Sequence, residues 1–394
     1  MDLFKRCYEF KEPEKVMEMG LYTYFRCISS AQEPEVIMDG KKVIMLGSNN
    51  YLGLTNHPYI KEKALEAIKK YGSGCAGSRF LNGTLDIHCQ LEEKLANFVK
   101  KEKALVFSTG FQTNLGVIST LIGKSDVVYI DKLNHASIID GCRLSFGKVR
   151  KFKHNDLKDL EKMVIEDGEC PGKLIVVDGV FSMEGDIFDL PSLVPIAKRY
   201  DIKIMVDDAH GIGVLGKNGR GTAEHFNLED DVDLIMGTFS KSLASVGGFI
   251  AGKSEVISWI KHKARPLIFS ASPPPASVAS VIAAVEIIER EPERREKLWE
   301  NTRFLMEGLK NEGFDIGNTQ TPIIPVIVGE DLMAFKMVQR LQELGVFANP
   351  DISPATPPGR ALIRNSLMAT HTFEHLEKAI DAFKKAGKEL GIIK

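Results

Sequence analysis

Apolar and polar residues follow one another along this chain in two rhythms. Short apolar or β-branched runs at Ala104–Ser108, Val127–Ile130, Leu174–Asp178, Ile204–Asp207, Leu234–Met236 and Gly248–Ala251 read as strands. Between them the apolar positions return to helical spacing, as they do from His57 onward at Ile60, Ala64, Ala67 and Ile68. Strands separated by helical segments predict βαβ units and a largely parallel sheet, because parallel neighbours need a crossover to bring the chain back.

Upstream of these units, two extended stretches, Glu35–Met38 and Val43–Leu46, flank Asp39-Gly40, a favoured hairpin dipeptide. They belong to an N-terminal arm, residues 1–50, that opens with a charged amphipathic stretch to about Met19. Composition shifts at Pro273-Pro274-Pro275, after which a helical pattern from Ser277 to Glu291 leads into a second region. There helices are predicted at about Glu293–Asn311, Leu332–Leu344 and His375–Leu390, with strands near Ile323–Val328 and Ala361–Leu367. The expected division is therefore an arm, a large domain at 51–285 and an α+β small domain at 286–394, without internal repeats.

Composition adds exclusions. With 394 residues, 44% apolar and 26% charged, the chain can bury a large core, which argues against disorder. Its 51 basic and 53 acidic side chains leave no electrostatic footprint for nucleic acid. The cysteines at 7, 27, 75, 89, 142 and 170 form no C-x-x-C pair and no zinc spacing, so neither a metal site nor a disulfide framework is expected, and a reducing cytoplasm is. The start lacks an apolar signal core, and the longest mostly apolar stretch, Ala276–Ile288, is too short to span a bilayer. Peripheral contact with a membrane surface remains compatible.

Gly211-Ile-Gly-Val-Leu-Gly216-Lys217-Asn218 nearly matches a phosphate-binding loop, but Asn218 cannot supply the required hydroxyl and Gly219-Arg220-Gly221 would break the helix that must follow. A glycine-rich surface loop is the reading retained. The chemistry lies instead at strand ends. Ile204–Asp207 delivers Asp207, Asp208 and His210 at its carboxyl end, where parallel sheets place their ligands. Leu234–Met236 is followed by Thr238, Ser240, Lys241 and Ser242. Singly these are cap residues and a solvated charge. Together they match the needs of pyridoxal phosphate: a lysine for a Schiff base and a carboxylate to keep a pyridine nitrogen protonated. Gly110-Phe111-Gln112, after a strand, would offer backbone N–H groups at a helix start to its phosphate.

Nine segments in order now carry a resemblance. Ser48-Asn-Asn-Tyr-Leu-Gly-Leu54, Gly72-Ser-Gly-Cys-Ala-Gly-Ser-Arg79, Asn82-Gly-Thr84, His88-x-x-Leu-Glu92, Ser108-Thr-Gly-Phe111, Asn134-His-Ala-Ser137, Val180-Phe-Ser-Met-Glu-Gly185, Val206-Asp-Asp-Ala-His210 and Thr238-Phe-Ser-Lys241 resemble the α-oxoamine synthases. The resemblance implies an α/β protein of fold type I, aspartate aminotransferase-like, with a mainly parallel seven-stranded sheet in its large domain.

It also implies roles. Lys241 would hold the cofactor covalently, Asp207 would pair with the ring nitrogen, His210 would bond the ring hydroxyl, with Ser182 close to it, and His135 would stack on the ring. Gly110, Phe111 and Thr238 would serve the phosphate end, completed across a homodimer by Ser270 and Ser272 of the other subunit. Asn49 and Arg364 would engage an amino-acid carboxylate, which suits a guanidinium's parallel N–H pair, and Arg26 joins them as a substrate-binding candidate. The implied reaction is a decarboxylative Claisen condensation of an amino acid with an acyl-CoA, giving an α-aminoketone, CoA and carbon dioxide.

Three substrate pairs stay open: serine with a long acyl-CoA, glycine with acetyl-CoA, and alanine with pimeloyl-CoA. The proline-bearing stretch Gly345–Pro358, the strand from Arg364 to Thr372, the run Lys153-His-Asn-Asp156 and Asp178–Asp186 resemble the first branch. Residues 387–393 resemble the second as much. A non-catalytic binding protein is disfavoured by the intact Asp207, His210 and Lys241.

Overall fold

The computed structural model describes residues 2–394. A hairpin of β1 (Glu35–Met38) and β2 (Lys41–Met45) turns at Asp39-Gly40, both with positive φ, as the dipeptide predicts. Seven strands then build the main sheet: β3 (Lys103–Phe107), β4 (Val127–Asp131), β5 (Lys148–Phe152), β6 (Lys173–Asp178), β7 (Lys203–Asp207), β8 (Leu234–Thr238) and β9 (Gly248–Gly252). Their order is β3-β9-β8-β7-β6-β4-β5, parallel throughout except that β9 runs against both of its neighbours. The two reversals cancel, so β3 and β8 point the same way.

Six of these strands read as apolar runs because both sheet faces are covered by helices. One face packs residues such as Val106, Tyr129, Val177 and Phe249; the other packs Leu105, Val128, Val176 and Ile250. Each such fully buried aliphatic or aromatic side chain is worth roughly 1.5–3 kcal/mol relative to exposure. The seventh strand, β5, escapes the pattern. It is an edge strand, Lys-Val-Arg-Lys-Phe, in which only Phe152 is buried, and its charges keep the open edge from pairing further.

The three prolines end one region and start the next helix: Pro275 occupies the first turn of Pro275–Arg290, where its missing N–H costs nothing. Beyond it, β10 (Ile323–Gly329), β11 (Val346–Phe347), β12 (Asn349–Asp351) and β13 (Ala361–Ser366) follow. β10, β13 and β12 form an antiparallel sheet in that order, while β11 joins β2 of the arm. The proline-bearing stretch is thus partly ordered into strands, and its loop proper is confined to Ile352–Arg360. The last helix, Phe373–Glu389, starts two residues before the predicted His375. Thr372 caps it by accepting from the His375 amide, and the His375 ring accepts from the Thr372 amide. Among the described residues no helix is long and apolar enough to cross a membrane.

Candidate active site

The carboxyl ends of β6, β7 and β8 and the start of the helix Gly110–Leu121 enclose a cavity of about 360 Å³. Gly110, Phe111, His135, Ser182, Asp207, His210, Thr238 and Lys241 all line it. β6 and β7 end level with each other, Asp178 opposite Asp207.

Strand alternation sends consecutive acids to opposite sides. Asp207 faces the cavity, where its Oδ2 accepts from Asn114 Nδ2 at 2.7 Å and its Oδ1 from the Ala209 amide at 3.1 Å. Asp208 faces away and accepts from the amide and hydroxyl of Thr222 at 2.6 and 2.7 Å. Burial pushes Asp208 up to about 7. The near-match to a phosphate loop is folded around acids of its own: Glu224 accepts from the amides of Asn218 and Arg220, at 3.1 and 2.9 Å, leaving no cradle for an anion.

Lys241 sits in the short connection between β8 and β9. Burial, reinforced by Arg364 and opposed by Asp207 and Asp178, brings its amine down to about 8. His210 is buried, and desolvation together with the charges of Lys241 and Arg364 holds it well below its usual range. Its Nδ1 lies 2.7 Å from the hydroxyl of the buried Tyr51, which burial keeps protonated. His135 caps the helix Ala136–Leu144; its amide donates to Asp178 Oδ2 at 2.7 Å and its Nδ1 meets Ser137 Oγ at 2.7 Å. Burial lowers its pKa as well, against the pull of Asp207. Burial and the neighbouring Asp207 charge raise Asp178 well above the carboxylate range.

At the other end, Thr109 caps the helix Gly110–Leu121 by accepting from the Gln112 amide at 3.1 Å. A Cβ on Gly110 would stand 2.7 Å from Thr238 Oγ1, so only glycine lets the helix start approach the hydroxyls that follow β8.

Arg364 and Asn49 lie beside this cavity, joined to it by hydrogen bonds. The buried Arg364 donates from Nε to the Ser182 carbonyl at 2.5 Å and from Nη1 to Ser366 Oγ at 2.8 Å. Ser366 Oγ and Tyr51 Oη each lie 3.4 Å from Asn49 Oδ1, which carries the network back to His210.

Arg26 does not line the cavity. Its guanidinium donates to the Ala348 carbonyl at 2.6 Å, to Asn349 Oδ1 and to Gln342 Oε1, both at 3.2 Å, and lies 3.7 Å over the Phe347 ring. A cation so occupied is a brace between the arm and the C-terminal region. Ser270 and Ser272 lie outside the cavity in the single chain: Ser270 Oγ accepts from Gln112 Nε2 at 3.1 Å, while the Ser272 hydroxyl is buried without a partner. Sequence reasoning missed Asn114 and Asp178 as lining residues and Tyr51 as the partner of His210.

The residues present fit pyridoxal phosphate. One cavity holds an amine poised near neutrality, a buried carboxylate fixed by two donors, a neutral imidazole and, at its far end, a helix start with clustered hydroxyls; beside the carboxylate, the amide oxygen of Asn114 is buried without a donor among the described residues.

This fold and constellation define a class: the chain belongs to the aminotransferase class I and II family, whose profile matches residues 41–383. Its similar relatives include serine palmitoyltransferases and 8-amino-7-oxononanoate synthases. A serine palmitoyltransferase of Sphingobacterium spiritivorum is 54% identical over 99% of this chain and 98% of its own. An 8-amino-7-oxononanoate synthase of Symbiobacterium thermophilum is 48% identical over 97% of this chain and 98% of its own. The structure of a serine palmitoyltransferase from S. paucimobilis, with a bound PLP–myriocin aldimine, superposes with a TM-score of 0.97 at 38% identity, covering 100% of both chains.

Proposed function

We propose that this protein is a pyridoxal-phosphate-dependent acyltransferase that condenses L-serine with palmitoyl-CoA, releasing CoA and carbon dioxide and giving 3-ketodihydrosphingosine. The observation that carries the reading is the enclosure of Lys241, Asp207 and His210 in one cavity, with a buried arginine, Arg364, alongside. Full-length similarity to serine palmitoyltransferases supports the substrate pair.

Lys241 would hold the cofactor through Nζ, Asp207 would meet its ring nitrogen, His210 its ring hydroxyl with Ser182 nearby, and His135 would stack on the ring. The Gly110 and Phe111 amides and Thr238 Oγ1 would serve its phosphate, completed by Ser270 and Ser272 of a second subunit. When bound, pyridoxal phosphate supplies an electron-withdrawing ring that stabilises negative charge at the α-carbon of an amino acid.

The chain's own residues do the rest. His210 Nδ1 is engaged by the Tyr51 hydroxyl at 2.7 Å; with the tyrosine as donor, the neutral ring would carry its proton on Nε2 and could donate it to the cofactor's ring hydroxyl. Arg364 and Asn49 bind the serine carboxylate. Lys241 Nζ accepts the α-proton, for which an amine near 8 is better suited than an ordinary lysine because a larger fraction is unprotonated at neutral pH.

The homodimer accounts for the apolar side chains left exposed near Ser270, among them Phe269, Phe80 and Leu81. The N-terminal segment exposes Leu3, Phe4, Tyr8 and Phe10 among Lys5, Arg6 and Lys11, a surface suited to peripheral contact with a membrane, from a cytoplasmic protein with a lipid product. We assign residues 1–50 to the arm, 51–285 to the cofactor-binding domain and 286–394 to the small domain.

A CoA-release assay crossing serine, glycine and alanine with acetyl-, pimeloyl- and palmitoyl-CoA tests the reading. Serine with palmitoyl-CoA is expected to be fastest, with a steep dependence on chain length, since each buried methylene contributes up to about 0.8 kcal/mol. Faster turnover of alanine with pimeloyl-CoA would replace it with the second reading, which the 48% identical synthase supports.

A further inference from the structure

His154, outside the cavity, sits between two acids. It follows β5, its Nδ1 lies 3.1 Å from Asp131 Oδ1 at the buried end of β4, and its Nε2 lies 2.9 Å from Asp186 Oδ2. Carboxylate oxygens stand at both ring nitrogens, so both bonds form only when both nitrogens carry protons. The ring also meets the Phe181 ring edge-on, with centroids 4.4 Å apart. The adjacent Asn155 amide donates to Asp131 at 2.8 Å, and the Asn155 side chain bonds the Ile187 carbonyl and the Asp189 amide.

Phe181 and Asp186 are the two shoulders of one turn. The Phe181 amide donates to the Asp186 carbonyl at 3.0 Å, and Val180 bridges Ile187. Between the shoulders lies Ser182, whose carbonyl accepts from Arg364 Nε. Gly185 closes the turn at φ +71°, and its carbonyl accepts from the Thr321 hydroxyl and the Gln320 amide. The turn is therefore held by His154 on the side of the main sheet and by residues preceding β10 on the other.

We propose that His154 is a positioning residue for the amino-acid carboxylate: by clamping Asp186 to Asp131 it fixes the turn whose Ser182 carbonyl aims the Arg364 guanidinium. This rests on the assignment of Arg364 to that carboxylate. Charge-assisted bonds are the strong ones in such networks, and placement of a binding group within fractions of an ångström decides how well it works.

The test uses the holoenzyme and its His154→Gln, Asp186→Asn and doubly substituted forms. Serine binding is followed by the change it causes in cofactor absorption, alongside KM, kcat and the affinity for pyridoxal phosphate. Loss of the clamp is expected to raise the serine Kd and KM about tenfold, the worth of one hydrogen bond to a charged group. Turnover at saturation and cofactor affinity should stay within about threefold, and the double variant should bind serine no worse than the weaker single one. Unchanged serine affinity in the folded variants, or a fall confined to kcat or to cofactor affinity, overturns the proposal. If His154→Gln does not fold, Asp186→Asn, which retains the Asp131–His154 pair, decides alone. Absence of any serine response in the unsubstituted enzyme would instead overturn the functional reading and the proposal with it.

Discussion

The two ends of the site are built differently. The end proposed for the cofactor comes from one continuous scaffold: parallel β6 and β7 finish level at Asp178 and Asp207, and β8 runs two residues further, to Thr238. The end proposed for the amino acid is gathered from Asn49, Ser182 and Arg364, which lie far apart in sequence, and it is held by side-chain hydrogen bonds. A scaffolded end should fail when its chemistry is removed. A gathered end should fail by degrees, through affinity.

Substitutions can separate the two. Lys241→Ala removes what the proposed mechanism uses for both covalent attachment and proton acceptance, so turnover should fall by at least about a thousandfold while far-ultraviolet circular dichroism is unchanged; sustained multiple turnover would break the contrast at its strongest point. Asp207→Asn keeps the shape of the floor but not its charge, and α-proton exchange from serine, followed by NMR in deuterated water, should slow about a hundredfold. Arg364→Lys leaves a cation but loses the fork that meets two carboxylate oxygens, and should raise the serine KM about tenfold with a smaller change in kcat.

The clamp beneath the gathered end has a pH signature. Burial pulls the His154 imidazolium down, but its hydrogen bonds to Asp131 and Asp186 and their charges outweigh that and hold it up at about 9, with Glu184 the further acid facing it. A folded-state pKa above the unfolded value of 6.5 stabilises fully below about pH 6.5 and is lost as pH rises through 9. Urea midpoints measured from pH 6 to 10 should therefore decline more for the wild type than for His154→Gln, by up to ~3 kcal/mol in unfolding free energy. Equal slopes would count against the charged clamp. The smallest effect is expected of Arg26→Ala: loss of a brace should cost about 1–3 kcal/mol of stability and leave the serine KM unchanged.

The same contrast explains what could be read from the sequence. Strand ends that carry chemistry announce themselves locally, as in Val206-Asp-Asp-Ala-His210 and Thr238-Phe-Ser-Lys241, and six strands of the main sheet show as apolar runs because helices cover both faces. β5 was hidden because an edge strand with one buried residue has no apolar rhythm. Tyr51 and Asn114 act on partners 159 and 93 residues away, so nothing in their own neighbourhoods marks them. Arg26 shows a complementary limit: an arginine that braces carbonyl groups and one that binds a carboxylate look alike in sequence until their neighbours are known.

The reversed strand β9 has a consequence for Lys241. Because β8 and β9 are antiparallel, the chain returns directly between them, and the connection is pinned at its base by the Phe239 amide on the Gly247 carbonyl at 3.0 Å and by the Ser245 amide on the Phe239 carbonyl at 2.8 Å. A crossover to a parallel strand would have put the lysine on a long excursion. Here so few residues are closed by the sheet itself that little configurational freedom remains to be lost. The amine is a tethered group whose effective concentration at the cavity stays high whether or not it is covalently engaged, so on the proposed reading the lysine that would carry the cofactor remains at hand to move a proton.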